Sequence, residues 1–477
     1  MNTTPKVDLK QYPDAIETLS DFIVTAPMTE EAEGLERSKR AVLDTIGCML
    51  VGVEEPVARN AIKTVLPWGQ GNSGVVGTNI FLPAPWAALV NGSAAKAFDY
   101  DDWDDPSLVH TSSTLLPGIL ALMSEQSARG SELFDAHIVG VEAILKIGEA
   151  INPSHYAKGW HSTSTIGALG ATAACARVLK LNHAQTTCAL SIATSMTGGL
   201  TSQFGAMIKP MHAGLAAKAG VMAASLAANG ITARTNTLDG PASFATTTSD
   251  GTRADFNEAF GRLGKPWAIL EHGLHIKLYP SCGGTHRVIE CGLALQKTHN
   301  LIAEDIETIE INVADYVYEL VHFGVPHTVS EALFSLPYCL AAAICHGRVG
   351  LDEFHPDAIS DRRVCALAAK VNITTRPAPD RSKLFLNGDP DVVTVKLHSG
   401  TKLTHSVDIP RGAPPRFADD TTVQRKFFDC AQRKVSEAQA TAIRNLVFQS
   451  GSDWSVSDLL NLLQVAPPSM VNPIEAR

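Results

Sequence analysis

Ile306-Glu307-Thr308-Ile309-Glu310-Ile311-Asn312-Val313 is the stretch on which the reading of the whole chain turns. Apolar and polar residues come close to alternating along it, the period of a strand with one buried face. Upstream the period is helical. Segments 29–51, 83–98, 115–126, 131–151, 163–179, 184–197 and 214–228 carry apolar residues at three- and four-residue spacing, as Leu35, Ala41, Val42 and Ile46 do in the first. Ser131 and Asn182 are expected N-caps, and Gly230 an expected helix-ending residue. The small residues from Gly167 to Ala174 suit helices that approach closely in a buried layer.

The texture changes near Lys265-Pro266-Trp267. Beyond the opening strand, Val393–Leu397 and Leu403–Val407 flank Ser399-Gly400-Thr401, a hairpin signal. Helical patterns at 281–298, 330–346 and 362–371 are interleaved with these strands. After Pro410-Arg411-Gly412-Ala413-Pro414-Pro415 the helical period returns at 423–432, 436–450 and 455–463. The expected fold is therefore mainly α. One large all-helical domain is built from residues 1–270 and 410–477, with a smaller α+β domain inserted at 271–409. Clefts between such domains favour ligand sites.

Composition fits this reading and narrows the function. A chain of 477 residues exceeds one ordinary core, and 45% hydrophobic with 18% charged residues describes a well-buried globular protein. A formal charge of −10 without a basic stripe argues against nucleic-acid and membrane-surface roles. It leaves room for an anionic substrate, because a few convergent cations decide that locally. The nine cysteines are scattered, form no CxxC pair and match neither zinc nor iron–sulfur spacing, so reduced structural thiols are expected. Met1 to Asp21 has no apolar core of a secretory signal and no Arg-rich presequence character, and charges such as Arg177 and Lys218 interrupt the Ala-rich segments. A soluble, cytoplasmic protein is expected.

Asp99-Tyr100-Asp101-Asp102-Trp103-Asp104-Asp105-Pro106-Ser107-Leu108-Val109-His110 crowds five carboxylates around one Trp and ends in His. Gathering like charge is costly unless the run is solvated or forms a working site. Three other segments favour the site: Gly159-Trp160-His161, Lys209-Pro210-Met211-His212 and Lys277-Leu278-Tyr279-Pro280-Ser281-Cys282. His110 and His161 share one grammar, an imidazole followed by a hydroxyl cluster that opens a helix, where backbone N–H groups favour anions. Lys209 and Lys277 stand among apolar neighbours, unlike ordinary surface lysines.

Two lysines, two histidines and a carboxylate, with no nucleotide or metal motif, suit one chemistry. They can hold a di- or tricarboxylate by ion pairs and move a proton at the carbon α to a carboxylate. Competing motifs fail. Gly69-Gln70-Gly71-Asn72-Ser73-Gly74 spells GxGxxG but follows Pro67-Trp68 rather than a strand and opens no helix. The acidic run lacks the Gly and the final Glu of a calcium loop.

In this order, the segments resemble the MmgE/PrpD family, which includes 2-methylcitrate dehydratase, cis-aconitate decarboxylase and iminodisuccinate epimerase. The resemblance is carried by Leu43–Cys48, Asn91-Gly92, Asp99–Asp102, His110–Ser113, Gly159–His161, Lys209–Gly214, Lys277–Cys282 and Phe334–Tyr338. It implies a helical domain with an α+β lid, a homodimer and no cofactor. It also implies catalytic roles for Asp99, His110, His161, Lys209 and Lys277, with Trp103, Ser281 and Cys282 joining Lys209, Lys277 and His161 at the substrate. Two departures stand out. Trp103 occupies a position where the family commonly has Thr, and the family's tyrosine upstream of Phe334 has three neighbours here, Tyr316, Tyr318 and Leu320.

The expected function is a cofactor-independent lyase acting on a small polycarboxylate, by decarboxylation or dehydration. His110 is the expected general acid/base, oriented or tuned by Asp99. Epimerisation of a dicarboxylate at the same site is the alternative, and a non-catalytic carboxylate-binding protein is the third.

Overall fold

The computed structural model describes residues 14–27, 32–377 and 389–465. Its apolar interior falls into two main clusters. The larger draws on residues 15–276 and again on 418–463, and the smaller on residues 279–407.

The larger cluster is a stack of helices centred on Ile208–Ala228, which packs against Ala84–Ala95, Thr111–Met123, Ser162–Val178 and His183–Thr194. These helices are rich in Ala and Gly, and the packing explains why. A Cβ added to Gly92 would lie 2.7 Å from the Cα of Gly214, and one added to Gly214 would lie 2.1 Å from the carbonyl oxygen of Leu89. Two backbones cross here in direct contact. The crossing sets the end of helix Ala84–Ala95 beside the start of Ile208–Ala228, and so brings Lys96 and Lys209 to one place. Helix Asp420–Ala431 returns from the far end of the chain to pack on Ala32–Gly52.

The smaller cluster is built on four strands: β1 Ile306–Ala314, β2 Val371–Arg376, β3 Asp391–Leu397 and β4 Lys402–Val407. Their spatial order is β2-β1-β3-β4, with β1 and β2 parallel and the other pairs antiparallel. Ile306, Ile309, Ile311 and Val313 of β1 are buried. A register shift between Ile306 and Thr308 in the β1–β3 pairing explains why the alternation is imperfect at that end. Helix His286–His299 packs on β3 and β4 and against helix Leu336–His346.

Four local expectations need correction. The helix expected over 362–371 ends at Ala368, and Val371 opens β2, whose Val-Asn-Ile-Thr-Thr is β-branched enough to prefer a strand. The helix expected from 214 begins at Ile208, because Pro210 lies in a first turn that needs no N–H donor there. The helix expected from 115 begins at Thr111, and its interior Pro117 does not end it. Ser131 does not cap its helix: Arg129 holds that position and its N–H donates to Glu132. Asn182 does cap, accepting from the Gln185 N–H at 3.0 Å, and Gly230 follows its helix with φ +87°. Residues 29–31 of the first expected helix, and most of the N-terminal stretch read for targeting signals, lie outside the described residues. No helix among the described residues is long and apolar enough to cross a membrane. All nine cysteines are free thiols.

Candidate active site

The acidic run is almost wholly buried. Asp99, Asp101, Asp102 and Asp104 are each 2% exposed or less, so the local sequence must supply each carboxylate with its own partners. Asp104 accepts from the Ser107 N–H at 2.7 Å, the Ser107 hydroxyl at 2.6 Å and the Thr111 hydroxyl at 2.7 Å, which folds the loop back on itself. Asp102 accepts from the N–H and hydroxyl of Ser112, and that hydroxyl leads on to His137 at 3.0 Å and then Ser38 at 2.9 Å. Burial pushes Asp102 up to about 7 and Asp104 up to about 6, against these hydrogen bonds. Lys426 anchors the loop from the C-terminal helices. Its Nζ donates to the Tyr100 carbonyl at 2.6 Å, lies 2.7 Å from Asp44 and sits 3.9 Å over the Tyr100 ring.

Asp99 is treated differently. Its backbone adopts φ +50°, a left-handed conformation that Asp tolerates better than most residues, at a turn immediately after the helix. Three ammonium groups converge on its carboxylate. Lys209 and Lys96 reach Oδ1, the latter at 2.7 Å, while Lys277 reaches Oδ2 at 3.0 Å and the Asp99 carbonyl at 2.7 Å. Burial pushes this carboxyl up, but Lys209, Lys277 and Lys96 together outweigh it and hold it well below the usual range.

His110 and His161 occupy equivalent places, each the N-cap of a helix: Thr111–Met123 and Ser162–Val178. The His110 N–H donates to the Thr163 hydroxyl at 3.2 Å, tying the two helix starts together. His110 lies with Nδ1 3.1 Å from Asp101 and Nε2 3.7 Å from Asp99. Its closer carboxylate is therefore Asp101, while Asp99, the expected orienting or tuning group, stands farther off at the other ring nitrogen. Burial lowers His110 to about 3, opposed by Asp101 and reinforced by Lys96. His161 shares a 2.7 Å Nδ1–Nδ1 hydrogen bond with His212, and burial plus Lys209 hold both rings neutral.

These groups face one cavity. Lys209, Lys277, His110 and His161 line it together with Trp103, Leu108, Tyr156, Phe204, Cys282, Gly283, Leu320 and Phe334. Lys209 also lies 4.4 Å from the centre of the Phe334 ring and 5.1 Å from that of Phe204, so its charge is presented from an aromatic collar. Trp103 packs on His275 with ring centres 4.1 Å apart, and a Cβ at Gly283 would meet its indole at 3.3 Å. Of the three residues around the family's tyrosine position, Leu320 faces the cavity, while Tyr318 is exposed and Tyr316 sits in the smaller core. The tyrosine that lines the cavity is Tyr156, from helix Ser154–Ala157.

Ser281 is the one expected substrate contact that does not line this cavity. Its hydroxyl is paired with that of Thr285 at 2.7 Å, and its neighbour Cys282 faces the cavity instead. Asp101 and His212 lie in segments that sequence marks without giving either a role, and Lys96 and Tyr156 are not singled out by sequence. Lys96 carries the signal that marked Lys209, a lysine among apolar neighbours, in Ala94-Ala95-Lys96-Ala97-Phe98.

Asp99, Asp101 and His110 place ligand atoms within 4.8 Å of one another, the spacing of a metal site. Three ammonium groups around Asp99 oppose a divalent cation there, so this donor set fits an anion better.

Residues 17–257 match the MmgE/PrpD N-terminal domain, and residues 279–449 match the MmgE/PrpD C-terminal domain. The chain belongs to the MmgE/PrpD family. It is 28% identical to the cis-aconitate decarboxylase-like protein oryM of Aspergillus oryzae, over 92% of this chain and 94% of that one. It is 27% identical to human cis-aconitate decarboxylase over 97% of both chains. It is 22% identical to the mitochondrial 2-methylcitrate dehydratase of Yarrowia lipolytica, over 90% of this chain and 84% of that one. MmgE/PrpD relatives with these names are lyases, and this family member is an enzyme of that kind.

Proposed function

We propose that this enzyme is a cofactor-independent lyase for a small di- or tricarboxylate, decarboxylating a cis-aconitate-like acid or dehydrating a 2-methylcitrate-like one. One observation carries the reading. Two lysines and two histidines from four separate segments line a single cavity, and Asp99 bridges the two lysines. Lys209, Lys277 and His161 would hold substrate carboxylates, displacing Asp99 as the lysines' partner. The smaller cluster contributes Cys282, Leu320 and Phe334 to the wall, which supports a lid that closes over the bound acid.

His110 is the proton carrier in this reading. In the ligand-free site, burial and nearby lysines keep it neutral, and a bound polyanion would raise its pKa by offsetting the ammonium charge. For decarboxylation, the C–C bond to the departing carboxylate breaks and carbon dioxide leaves. The electron pair is delocalised into the remaining conjugated carboxylate, beside the ammonium groups, and His110 delivers a proton to carbon. For dehydration, neutral His110 would instead remove the proton α to a carboxylate, and the imidazolium so formed would pass that proton to the departing hydroxyl, which leaves as water.

The test is to incubate the protein separately with cis-aconitate, 2-methylcitrate and iminodisuccinate and follow each by NMR. Loss of carbon dioxide or water supports the lyase; no change in any of the three overturns it. A second reading has its own observation: two imidazoles face the cavity from different helices, as two acid/base groups flanking one carbon would. Solvent deuterium entering recovered iminodisuccinate, without carbon dioxide or water loss, would favour epimerisation.

A further inference from the structure

We infer that Lys96 is a positioning residue for this chemistry: it is the counter-cation fixed in place behind Asp99 and Asp101, and stays with them when Lys209 and Lys277 turn to the substrate. The inference rests on the polycarboxylate reading above and adds a division of labour among the three lysines.

The geometry separates them. Lys209 and Lys277 line the cavity, whereas Lys96 does not; its side chain is 0% exposed and stands behind the two carboxylates. Its Nζ lies 2.7 Å from Asp99 Oδ1 and 3.6 Å from Asp101 Oδ1. Among the described residues no backbone N–H or hydroxyl donates to the Asp101 carboxylate, so its charge is met chiefly by His110 at 3.1 Å and Lys96 at 3.6 Å, with Lys277 contributing from farther off.

Charge counting gives the reason for the arrangement. Burial lowers Lys96 to about 7, opposed by Asp101 and Asp99, so below that pH three ammonium groups face two carboxylates in the ligand-free site, a surplus of one positive charge. A bound di- or tricarboxylate draws on the two front lysines. Without a third cation, two buried carboxylates would then stand beside an incoming polyanion with no fixed counter-charge. They would take up protons or recapture the lysines. Lys96 cannot leave to reach substrate, being enclosed at the end of helix Ala84–Ala95. The charged and titratable groups that face it are Asp99, Asp101 and His110 from the acidic loop, His161 from the start of helix Ser162–Val178, Lys209 and His212 from helix Ile208–Ala228, and Lys277 from the segment before Cys282.

The variants are K96M, K96R, D99N and K96M/D99N, with kcat and kcat/KM followed against pH on whichever acid the wild type turns over. Removing a cation raises the pKa of Asp99, Asp101 and His110 alike. The acid limb of kcat/KM in K96M should therefore move up by about one pH unit or more. K96R should keep the wild-type limb, and K96M should shift it less in the D99N background than in the wild type, because only Asp101 and His110 then remain to feel the lost charge. A pH-independent loss in K96M, an unshifted profile, or full additivity with D99N overturns the inference. If K96M does not fold, recovery of the fold in K96M/D99N supports the charge pairing, and failure of the double variant to fold overturns it. A wild type that turns over none of the acids overturns the polycarboxylate reading, and the role of Lys96 with it. An active wild type with an unshifted K96M overturns the role of Lys96 alone.

Discussion

This protein contains two clusters made from nearly the same side chains. One joins Asp99, Asp101 and His110 to Lys96, Lys209 and Lys277; the other joins Glu149, Glu271 and His272 to Lys146 and Arg262. In the second, two carboxylates meet two cations, with Lys146 3.1 Å from Glu149 and 3.0 Å from Glu271, and Arg262 2.9 Å from each. Its charges cancel, Arg262 is 44% exposed, and none of its members lines the cavity between the two histidine-capped helices. The first has a cation in excess, is enclosed, and opens onto that cavity. Residue types alone therefore do not make a site. Surplus charge held out of water beside an empty volume does, because only there is an anion worth more to the protein than water is.

The largest expected effect separates the two clusters directly. Lys209→Met or Lys277→Met should lower kcat/KM by about 1000-fold, roughly 4 kcal/mol of transition-state stabilisation. Lys146→Met should leave kcat/KM within about twofold while lowering stability by roughly 1–3 kcal/mol, since it removes the buried one of the two cations that meet Glu149 and Glu271. Steady-state kinetics and urea melts of the three variants make the comparison. An active K209M, or a K146M as inactive as K277M, would break it.

Next in size is the proton carrier. His110→Asn should keep the melting temperature within a few degrees and reduce kcat by about 100- to 10,000-fold, the span of a lost general acid/base. The matching change in the second cluster, His272→Asn, should leave kcat unchanged. If H110N retains wild-type kcat, the cavity works without an imidazole at that place and the roles must be reassigned.

Much of this contrast was legible in the chain, and the reason is local. A lysine among apolar neighbours, or a histidine ahead of a hydroxyl cluster, announces itself without knowledge of the fold. His110, His161, Lys209 and Lys277 are legible that way, Asp99 through the crowded acidic run and the family resemblance, and all five meet at one place. The strand Ile306–Ala314 was legible because one face of it is buried at a period of two. What could not be read is direction. The left-handed backbone at Asp99 turns its carboxylate to the lysines and leaves Asp101 beside His110, and no pattern of residue types specifies that turn. Partners from distant sequence were hidden for the same reason: Lys426 approaches the loop from more than 300 positions away. Arg129 replaced Ser131 as cap because the start of that helix pairs with Ser455 and Trp454 of the C-terminal segment.

Within the acidic loop the acids themselves divide, and pH exposes the division. Asp99 is held low, so its contribution to stability is present above the unfolded value near 3.9 and is lost as pH falls through its folded value. Asp102, pushed up to about 7, has the opposite sign. Folded protein binds its proton more tightly than unfolded chain does, so between about pH 4 and 7 this residue makes stability fall as pH rises. Asp102→Asn keeps an acceptor for the Ser112 N–H and removes the titration. It should flatten the decline of stability across that window, by on the order of 2 kcal/mol at pH 7 relative to pH 4. Urea melts at several pH values measure it, and an unchanged slope would mean that Asp102 is ionised as freely in the fold as out of it.

The smallest expected effect tests the finest distinction, between adjacent residues. Ser281 and Cys282 come from one segment, yet the Ser281 hydroxyl is spent on Thr285 while Cys282 faces the cavity. Ser281→Ala should therefore leave KM within about twofold and lower stability by about 1 kcal/mol, the net worth of one buried hydrogen bond. Cys282→Val puts a second branch on the cavity wall, where side chains from both clusters already crowd the space, and should raise KM by roughly 10-fold with little change in stability. The opposite ranking would mean that Ser281 turns its hydroxyl to the substrate on closure, and the wall between cavity and smaller core would have to be redrawn around it.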